Sequence, residues 1–360
     1  MYKTAYAIFL AFLLSLLALP ASADDGSWVD RVDFKGDIRL RYERIDEEFD
    51  EERNRMRFRT RFGFTVAVED NLKVVLQMAT GGDNPVSTNQ TLDDGFTRKD
   101  LRLDLAYVDW KVNDSLTINA GKFKNPLFRA GSAPLIWDGD LNPEGFAAKY
   151  KSGNLFATAA AIIVEERGDS DDSMLYAGQV GATFAINDAA KLTAGVGYFT
   201  FTETAGNSPF FNGRPQGNSV DVDGNYIYDY KNAEAFAEFA TKVNDWPLKI
   251  FAQYTQNTDV SEEDTALAFG ARLGSAKDKG QTEYAWVYQD LEADAVIGTF
   301  SDSDFGGGGT DSDGHIFRVK HGLSKKLSLA ATFFLNDIDA FQGTERDYNR
   351  LQVDVEIKFD

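Results

Sequence analysis

Apolar and polar residues alternate along most of the chain, with the period of a β-strand that has one apolar face. In residues 34–43, Phe34, Ile38 and Leu40 hold even positions, while charged side chains hold the odd positions. Residues 53–68 repeat this pattern with apolar side chains on one parity. The other parity carries five arginines: Arg53, Arg55, Arg57, Arg59 and Arg61. A helix would scatter these arginines around its circumference, whereas a strand places them in one row.

Continued along the chain, the alternation predicts sixteen strands. Most have the 9–11 residues that a tilted strand needs to cross the hydrocarbon of a bilayer, or slightly more. The predicted strands are 34–43, 53–68, 71–81, 99–111, 115–124, 144–151, 155–165, 174–186, 191–202, 231–243, 248–257, 265–275, 281–290, 314–323, 327–336 and 348–359.

The predicted connections alternate in length. Short turns of Asn, Asp, Gly, Ser and Lys alternate with longer links, which is typical of a transmembrane barrel with short periplasmic turns and long extracellular loops. The longer links are 45–52, 82–98, 125–143, 166–173, 203–230, 258–264, 291–313 and 337–347. The sequence therefore predicts an all-β fold, a transmembrane antiparallel up-and-down β-barrel of about 16 strands.

A soluble β-sandwich would also alternate, but its strands average about five or six residues. The strands predicted here are longer, and their polar face carries full charges in rows. Aromatic residues near strand ends fit the interfacial girdles of a membrane barrel. They are Tyr42, Tyr107, Trp110, Tyr150, Trp246, Tyr254 and Tyr288.

The N-terminus has the organisation of a secretory signal peptide. Lys3 precedes the apolar run 7–19, Pro20 ends that run, and residues 21–23 read Ala-Ser-Ala. We expect residues 1–23 to be removed before Asp24, leaving 24–360 as the barrel domain. The chain has no cysteine, which argues against a lipoprotein anchor, disulfides and thiolate metal sites.

The last predicted strand, residues 348–359, alternates strictly and ends in Phe359. This pattern resembles the signal recognised by the outer-membrane barrel assembly machinery. Asp360 is a departure, because the aromatic residue is usually the final one. The alternative is an ordinary edge strand.

Five stretches, in this order along the chain, resemble a family of Gram-negative outer-membrane barrels, the Putative porin family. The resemblance runs over essentially all of residues 24–360 and implies an outer-membrane channel without identifying its solute. The stretches are 34–42, 103–110, 121–126, 137–145 and 302–310.

In such a channel, the charged side chains that alternate along each strand would face the lumen. The arginine row from Arg53 to Arg61 would then form a positive wall with Arg39 and Arg41, joined by Arg350 and Lys358 when the barrel closes. Sixteen-stranded porins fold the third long loop inward, which here is 125–143. That loop and the start of the next strand carry acidic residues: Asp138, Asp140 and Glu144.

Opposed basic and acidic walls create a transverse field at a constriction. The alternative is that the arginines are merely solvated and the loop lies outside. Selectivity stays open, because the net charge of −20 favours cations and the arginines favour anions.

Other candidate chemistry is weaker. Residues 221–229 resemble part of a calcium loop, but with Gly224 at the sharp turn the first and twelfth ligands would be Ser219 and Tyr230. We interpret this segment as a solvated acidic loop. The glycine-rich acidic stretch is interpreted in the same way, or as a bridge to divalent cations near lipopolysaccharide; its carboxylates are Asp302, Asp304, Asp311 and Asp313.

The only histidines, His315 and His321, lie on one predicted strand, and the sequence has no Gly-x-Ser-x-Gly motif of a serine hydrolase. We therefore predict no enzyme activity, no cofactor and no metal. The net charge argues against nucleic acid as a partner.

The sequence predicts an exported outer-membrane porin that lets ions and small hydrophilic solutes diffuse passively. Expected partners are outer-membrane lipids, lipopolysaccharide and the assembly machinery, and a homotrimer is left open. A substrate-selective channel, a plugged structural or adhesive barrel and an outer-membrane hydrolase remain the alternatives.

Overall fold

The computed structural model describes residues 28–341 and 343–360. The expected signal peptide and its cleavage before Asp24 lie outside the described residues. Within the described residues, no helix is both long and apolar enough to cross a membrane.

The described chain consists of antiparallel strands with a few short 3-10 turns. In chain order the strands are β1 (Val32–Glu47), β2 (Arg53–Glu69), β3 (Leu72–Thr80), β4 (Gln90–Thr91), β5 (Leu101–Lys111), β6 (Leu116–Lys122), β7 (Glu144–Ser152), β8 (Leu155–Glu165), β9 (Ser173–Asn187), β10 (Ala190–Phe201), β11 (Lys231–Val243), β12 (Trp246–Asn257), β13 (Thr265–Gly274), β14 (Thr282–Leu291), β15 (Ser312–Gly322), β16 (Leu327–Ile338) and β17 (Arg346–Phe359). The 3-10 turns are Trp28–Arg31, Asp94–Phe96, Ala130–Ser132, Gly298–Phe300 and Phe305–Gly307.

The sheet closes on itself because β1 pairs with both β2 and β17. The closing seam runs from Gly36 opposite Phe359 to Glu47 opposite Tyr348. Sixteen strands form the barrel, and the additional strand β4 pairs with β2 beyond the end of β3. Closure leaves no open sheet edge, which a bilayer requires. The predicted fold class is confirmed.

Strand boundaries agree with the sequence prediction to within about two residues, except at the end of β1. That strand continues to Glu47, so the first outer loop spans only 48–52. The expectation of a longer first link at 45–52 was wrong. Arg44 and Ile45 still pair with both β2 and β17, and Asp46 and Glu47 continue the pairing with β17 alone.

The two faces of the barrel wall differ in the way that the alternation predicts. Along β1, Leu40 is 46% exposed and points outward, whereas the adjacent Arg41 is 4% exposed and points inward. Large apolar side chains such as Phe146, Phe184 and Ile250 are likewise exposed on the outside. An apolar outer band with a polar interior is the arrangement that lipid imposes on a spanning barrel.

One end of the barrel carries short connections and the other carries long ones; we call them the turn end and the loop end. At the loop end we label the connections L1 (48–52), L2 (81–100), L3 (123–143), L4 (166–172), L5 (202–230), L6 (258–264), L7 (292–311) and L8 (339–345).

Three of the loops fold into the lumen. Apolar side chains of L3, L5 and L7 pack against the inward faces of β8 to β14 in one buried cluster, which we call the loop core. Its larger loop members are Leu127, Leu135, Ile136, Trp137, Phe210, Tyr226, Tyr230, Val296, Ile297 and Phe305. Its larger wall members are Phe199, Phe201, Phe236, Phe251, Val287 and Leu291.

Wall side chains also hold L3 by hydrogen bonds to its backbone. Gln179 accepts from the Phe128 N–H at 2.7 Å and donates to the Phe128 carbonyl at 3.0 Å. The Gly131 N–H donates to Glu238 at 2.9 Å, and Arg272 Nε donates to the Gly131 carbonyl at 2.7 Å. Gly131 has φ +60°, and a Cβ there would lie 2.1 Å from the Phe251 ring, so glycine is required.

Candidate functional site

The register of three neighbouring strands builds a row of arginines on one side of the lumen. Across β1 and β2, Arg39 lies opposite Arg59 and Arg41 lies opposite Arg57. We call this surface the arginine wall; it comprises Arg39, Arg41, Arg53, Arg55, Arg57, Arg59, Arg61 and, from β17, Arg350. Like charges directly opposite one another destabilise a sheet, so the wall needs interleaved carboxylates.

Carboxylates on the same strands supply part of this compensation. Asp37 accepts hydrogen bonds from Arg59 at 2.8 Å and from Arg61 at 3.0 Å. Asp354 binds Arg41 through both carboxylate oxygens, at 2.7 and 2.9 Å. The second arrangement is the bidentate geometry that guanidinium and carboxylate prefer.

Glu43 is the most deeply buried of these carboxylates, at 0% exposure. It accepts a hydrogen bond from Arg350 Nε at 3.0 Å and one from Gln352 at 3.1 Å, and it pairs with Arg55. A buried carboxylate is tolerated only when it is paired in this way.

L3 places Asp140 against the arginine wall. Asp140 lies 3.5 Å from Arg61 and 3.8 Å from Arg59, and it accepts a 2.8 Å hydrogen bond from the Thr88 hydroxyl. Burial raises the pKa of the Asp140 carboxyl, but the guanidinium groups of Arg59 and Arg61 outweigh it, so the net pKa is lowered. Asp140 is therefore an anion facing two cations.

Asp138 lies instead where L3 meets L7. Its carboxylate accepts hydrogen bonds from the backbone N–H of Ser303 at 3.0 Å and of Asp140 at 2.6 Å. Burial and the nearby carboxyls of Asp302 and Asp140 raise the pKa of Asp138 well above its usual range. The contact joins the two inward loops next to the lumen.

L7 contributes a carboxylate that bridges the arginine wall. Asp304 lies 2.9 Å from Arg41 and 2.7 Å from Arg350. Burial raises the pKa of this carboxyl, but Arg350 and Arg41 outweigh it and hold the net pKa far below its ordinary value. Burial and the charge of Asp304 raise the pKa of Asp302 to about 7.

The interpretation of the 302–313 stretch as a solvated outer loop was wrong for Asp302, Asp304 and Asp311. Asp302 and Asp304 lie inside the barrel, and Asp311 is 4% exposed. L7 turns inward because Val296, Ile297 and Phe305 are buried in the loop core. The glycine run 306–309 has positive φ throughout, which lets the chain turn back to the wall.

Three cavities lie in series inside the barrel, and the first two border the arginine wall. An outer cavity of about 570 Å³ at the loop end shares Ser303 with a central cavity of about 260 Å³. The central cavity shares Arg318 with an inner cavity of about 390 Å³ at the turn end. Successive cavities therefore adjoin one another at a shared side chain, and the series runs from the loop end to the turn end.

The lining of these cavities is more basic than acidic. The outer cavity has four basic and three acidic side chains, and the central cavity has five of each. The inner cavity has six basic and two acidic side chains. The basic lining residues of the inner cavity are Lys277, Arg318, Lys320, Lys325, Lys326 and Lys358.

The structure brings some of the residues that were predicted for a constriction together and separates others. Arg39, Arg41, Asp138 and Asp140 line the central cavity. The outer cavity is lined by Arg53, Arg55, Arg57 and Arg350. Arg59 and Arg61 lie beside the central cavity as partners of Asp140, as described above.

Glu144 begins β7 away from the central cavity and pairs with Lys122 at 2.9 Å. The role of all these residues in a constriction stays a prediction.

Several lining residues were missed from the sequence. Arg272 and Arg318 lie on the inward parity of β13 and β15, so the alternation could have found them. Arg129, Asp302 and Asp304 are in loops, where no periodicity indicates direction.

The remaining candidate chemistry has ordinary structural explanations. The Asp221 carboxylate accepts hydrogen bonds from the backbone N–H groups of Asp223 and Asn225, both at 2.9 Å, which caps a turn. His315 lies among Trp286, Tyr288 and Phe317, and Phe317 is 44% exposed on the outer face. In the described part of the chain, no group of three or more His, Cys, Asp or Glu side chains could hold a metal ion.

A closed sixteen-stranded barrel with an apolar outer band, inward loops and a charged lumen defines an outer-membrane porin. The sequence profile of the Putative porin family matches residues 46–226 and 214–359. The chain belongs to this family, and its location is the outer membrane. No curated protein matches the sequence.

Solved porin structures share the fold at low sequence identity. OprB of Pseudomonas putida, in its high-pH structure, is 14% identical with a TM-score of 0.63, over 92% of this chain and 95% of that chain. Salmonella typhi OmpF, in complex with daunomycin, is 13% identical with a TM-score of 0.56, over 91% of this chain and 97% of that chain. A triple mutant of the Rhodopseudomonas blastica porin is 10% identical with a TM-score of 0.53, over 91% of this chain and all of its own.

Proposed function

We propose that this porin passes small hydrophilic solutes by passive diffusion and favours anions. The observation that carries the proposal is the series of three adjoining cavities, each with at least as many basic as acidic lining residues. The whole chain has a net charge of −20, so the lining of these cavities runs against the sign of the chain as a whole.

The constriction of this pore is the central cavity. Asp140 of L3 and Asp304 of L7 line it together with Arg39 and Arg41, so acidic and basic groups border the same space. A field across the lumen orients water and polar solutes, whereas apolar solutes gain nothing from it. The low-dielectric loop core beside the cavity strengthens this field, because water screens it on one side only.

The inner cavity acts on the permeating ion over a longer range. Its lysines stand at the turn end, which is the periplasmic end in porins. Within about 8 Å at physiological salt, such exposed charges raise the local concentration of anions. We therefore expect the anion preference to be largest at low salt.

The proposal includes no catalysis and no cofactor. Family and fold support a channel rather than an enzyme. The series of adjoining cavities beside the loop core argues against a barrel that is plugged throughout.

The outer contacts of the barrel are also part of the proposal. The apolar outer band supports contact with lipids, and lipopolysaccharide would meet it at the loop end. A homotrimer is proposed by analogy with porin architecture alone.

Phe359 ends β17 at the closing seam. A Cβ on Gly36 would lie 2.3 Å from its ring, so the glycine makes room for it. We propose that Phe359 also serves the assembly machinery.

Conductance of the purified, folded protein in a planar lipid bilayer tests the function. We expect stable ohmic steps, and in a tenfold KCl gradient a reversal potential of the sign set by chloride. Properly folded protein without steps would overturn the open pore. A reversal potential of the opposite sign would overturn the anion preference.

A further inference from the structure

The five arginines that line the central cavity are neutralised unequally. Arg41 is fully paired, because Asp354 binds it through two oxygens and Asp304 lies 2.9 Å away. None of the other four has a carboxylate closer than 3.8 Å in the described part of the chain. These four, which we call the free guanidinium set, are Arg39, Arg129, Arg272 and Arg318.

Two members of the set retain unused donors. Arg39 donates to the neutral side-chain oxygen of Asn89 at 2.6 Å, and its Nε is buried without a partner. Arg318 has Glu356 at 3.9 Å, but Glu356 already pairs with Lys320, and Nε of Arg318 is also buried without a partner. A buried N–H group without a partner costs free energy that a ligand oxygen would recover.

The other two members bind only neutral backbone groups at short range. Arg129 donates to the Trp137 carbonyl at 3.0 Å, and Arg272 donates to the Gly131 carbonyl at 2.7 Å. Glu283 is 3.8 Å from Arg272. Carbonyl oxygens orient these guanidinium groups without cancelling their charge.

The carboxylates of the same cavity are by contrast all engaged. Asp354 and Asp304 bind Arg41, and Asp140 faces Arg59 and Arg61. Asp138 accepts two backbone N–H groups, and Asp302 accepts the backbone N–H of Asp304 at 3.0 Å. Backbone N–H groups do not cancel the charge of Asp138 and Asp302. Burial and neighbouring carboxyls, however, raise the pKa of both, to about 7 for Asp302, so these two carry less negative charge near neutral pH than the paired carboxylates do. Positive charge is therefore the charge left for a solute to meet.

We propose that the central cavity holds a saturable binding site for a compact oxyanion, formed by the free guanidinium set. Guanidinium groups suit this ligand because they bind phosphate and carboxylate oxygens in pairs. A cavity of about 260 Å³ admits an anion of this size together with part of its hydration. The proposal rests on the anion-favouring pore proposed above and names the class of solute that it retains.

Inorganic phosphate is the first probe, added to single channels in KCl. We expect phosphate to reduce the chloride current in a saturable way, because an oxyanion held in the cavity excludes chloride. Gluconate is the second probe, and sucrose is the uncharged control. Block by phosphate and gluconate assigns the site to oxyanions in general, whereas block by phosphate alone restricts it to phosphate.

The variant Arg318→Gln removes one member of the set. Losing a charge-assisted hydrogen bond should raise the half-blocking phosphate concentration about tenfold. The matched control Lys242→Gln removes the same charge from an exposed position on β11 that lines none of the three cavities. It should leave that concentration within about twofold, since exposed charges interact weakly.

Two failures are distinguishable. Ohmic, anion-preferring steps whose current rises linearly with phosphate would overturn the site and leave the proposed function intact. A pore without anion preference in KCl would overturn both. Equal effects of Arg318→Gln and Lys242→Gln would also overturn the site, since general surface charge would then explain the block.

Discussion

The two sides of the lumen use the same alternation of residues for opposite purposes. On β1, β2 and β17 the inward positions are charged, and carboxylates of L3 and L7 meet them. On β8 to β14 the inward positions include Phe199, Phe236 and Phe251, and loops fill the space beside them. The comparison shows that a side chain facing the lumen is not always in contact with water. Where it is apolar, a loop covers it.

The largest expected effect comes from the apolar side. Trp137 is 4% exposed and packs on Phe199 and Phe201, with ring centroids 5.6 and 6.3 Å apart. Trp137→Ala should lower the free energy of unfolding by about 4 kcal/mol, as for large buried aromatics. Denaturant titration in lipid vesicles measures it. Phe49→Ala, at a residue 77% exposed in L1, is the control and should change the free energy by less than about 0.5 kcal/mol.

On the charged side, loss of the ion pairs of Arg350 should lower the free energy of unfolding by nearly as much. Arg350→Met leaves Glu43 and Asp304 buried with one cation fewer. Removing one partner of a buried pair costs about 3 kcal/mol or more. The same titration measures this loss, with the exposed Arg53→Met as the matched control. If both variants lowered the free energy of unfolding equally, the result would contradict the burial of the Arg350 ion pairs.

A smaller effect, on ion selectivity, is expected from a substitution in L3, which lies between the charged and the apolar side of the lumen. Asp140→Asn removes the carboxylate of L3 that faces Arg59 and Arg61. The anion-to-cation permeability ratio should rise roughly two- to threefold, since the change alters one charge at the narrow point. Reversal potentials measure it. Asp171→Asn in the exposed L4 is the control, and a rise of the same size there would contradict a local origin.

The smallest effect is a dependence on pH near neutrality. Asp302 has a pKa of about 7, because burial and the charge of Asp304 outweigh Arg350 and Arg41, and Asp138 of L3 faces it. Raising pH from 6 to 8 ionises Asp302 and adds negative charge to the central cavity. The anion preference should therefore fall with rising pH. Asp302→Asn should flatten the profile over this range, and an unchanged slope in that variant would assign the titration to another group.

The strands and their faces were predictable because lipid and closure leave one solution for an alternating segment. Arg39 and Arg41 were assigned to the lumen from parity alone, and the structure places both beside the central cavity. The strand β4 was missed, since Gln90 and Thr91 are too short to show a period.

The loops were not predictable in the same way, because their paths depend on contacts that are distant in sequence. One signal was available: L7 contains Val296, Ile297, Phe300 and Phe305, which is unusual for a solvated loop. Those residues now carry Asp302 and Asp304 into the lumen. Apolar residues in a long outer loop of a barrel therefore indicate an inward path.

The central claim is that solutes pass along the arginine wall and are excluded from the loop core. The chain has no cysteine, so single-cysteine variants report accessibility without background. Ser132→Cys places a thiol at an exposed position lining the central cavity, and Thr255→Cys places one on the inward face of β12, at 0% exposure. Treatment of open channels with a negatively charged thiol reagent should block current through Ser132→Cys and leave Thr255→Cys unchanged. Block of Thr255→Cys with Ser132→Cys unaffected would contradict the proposed route.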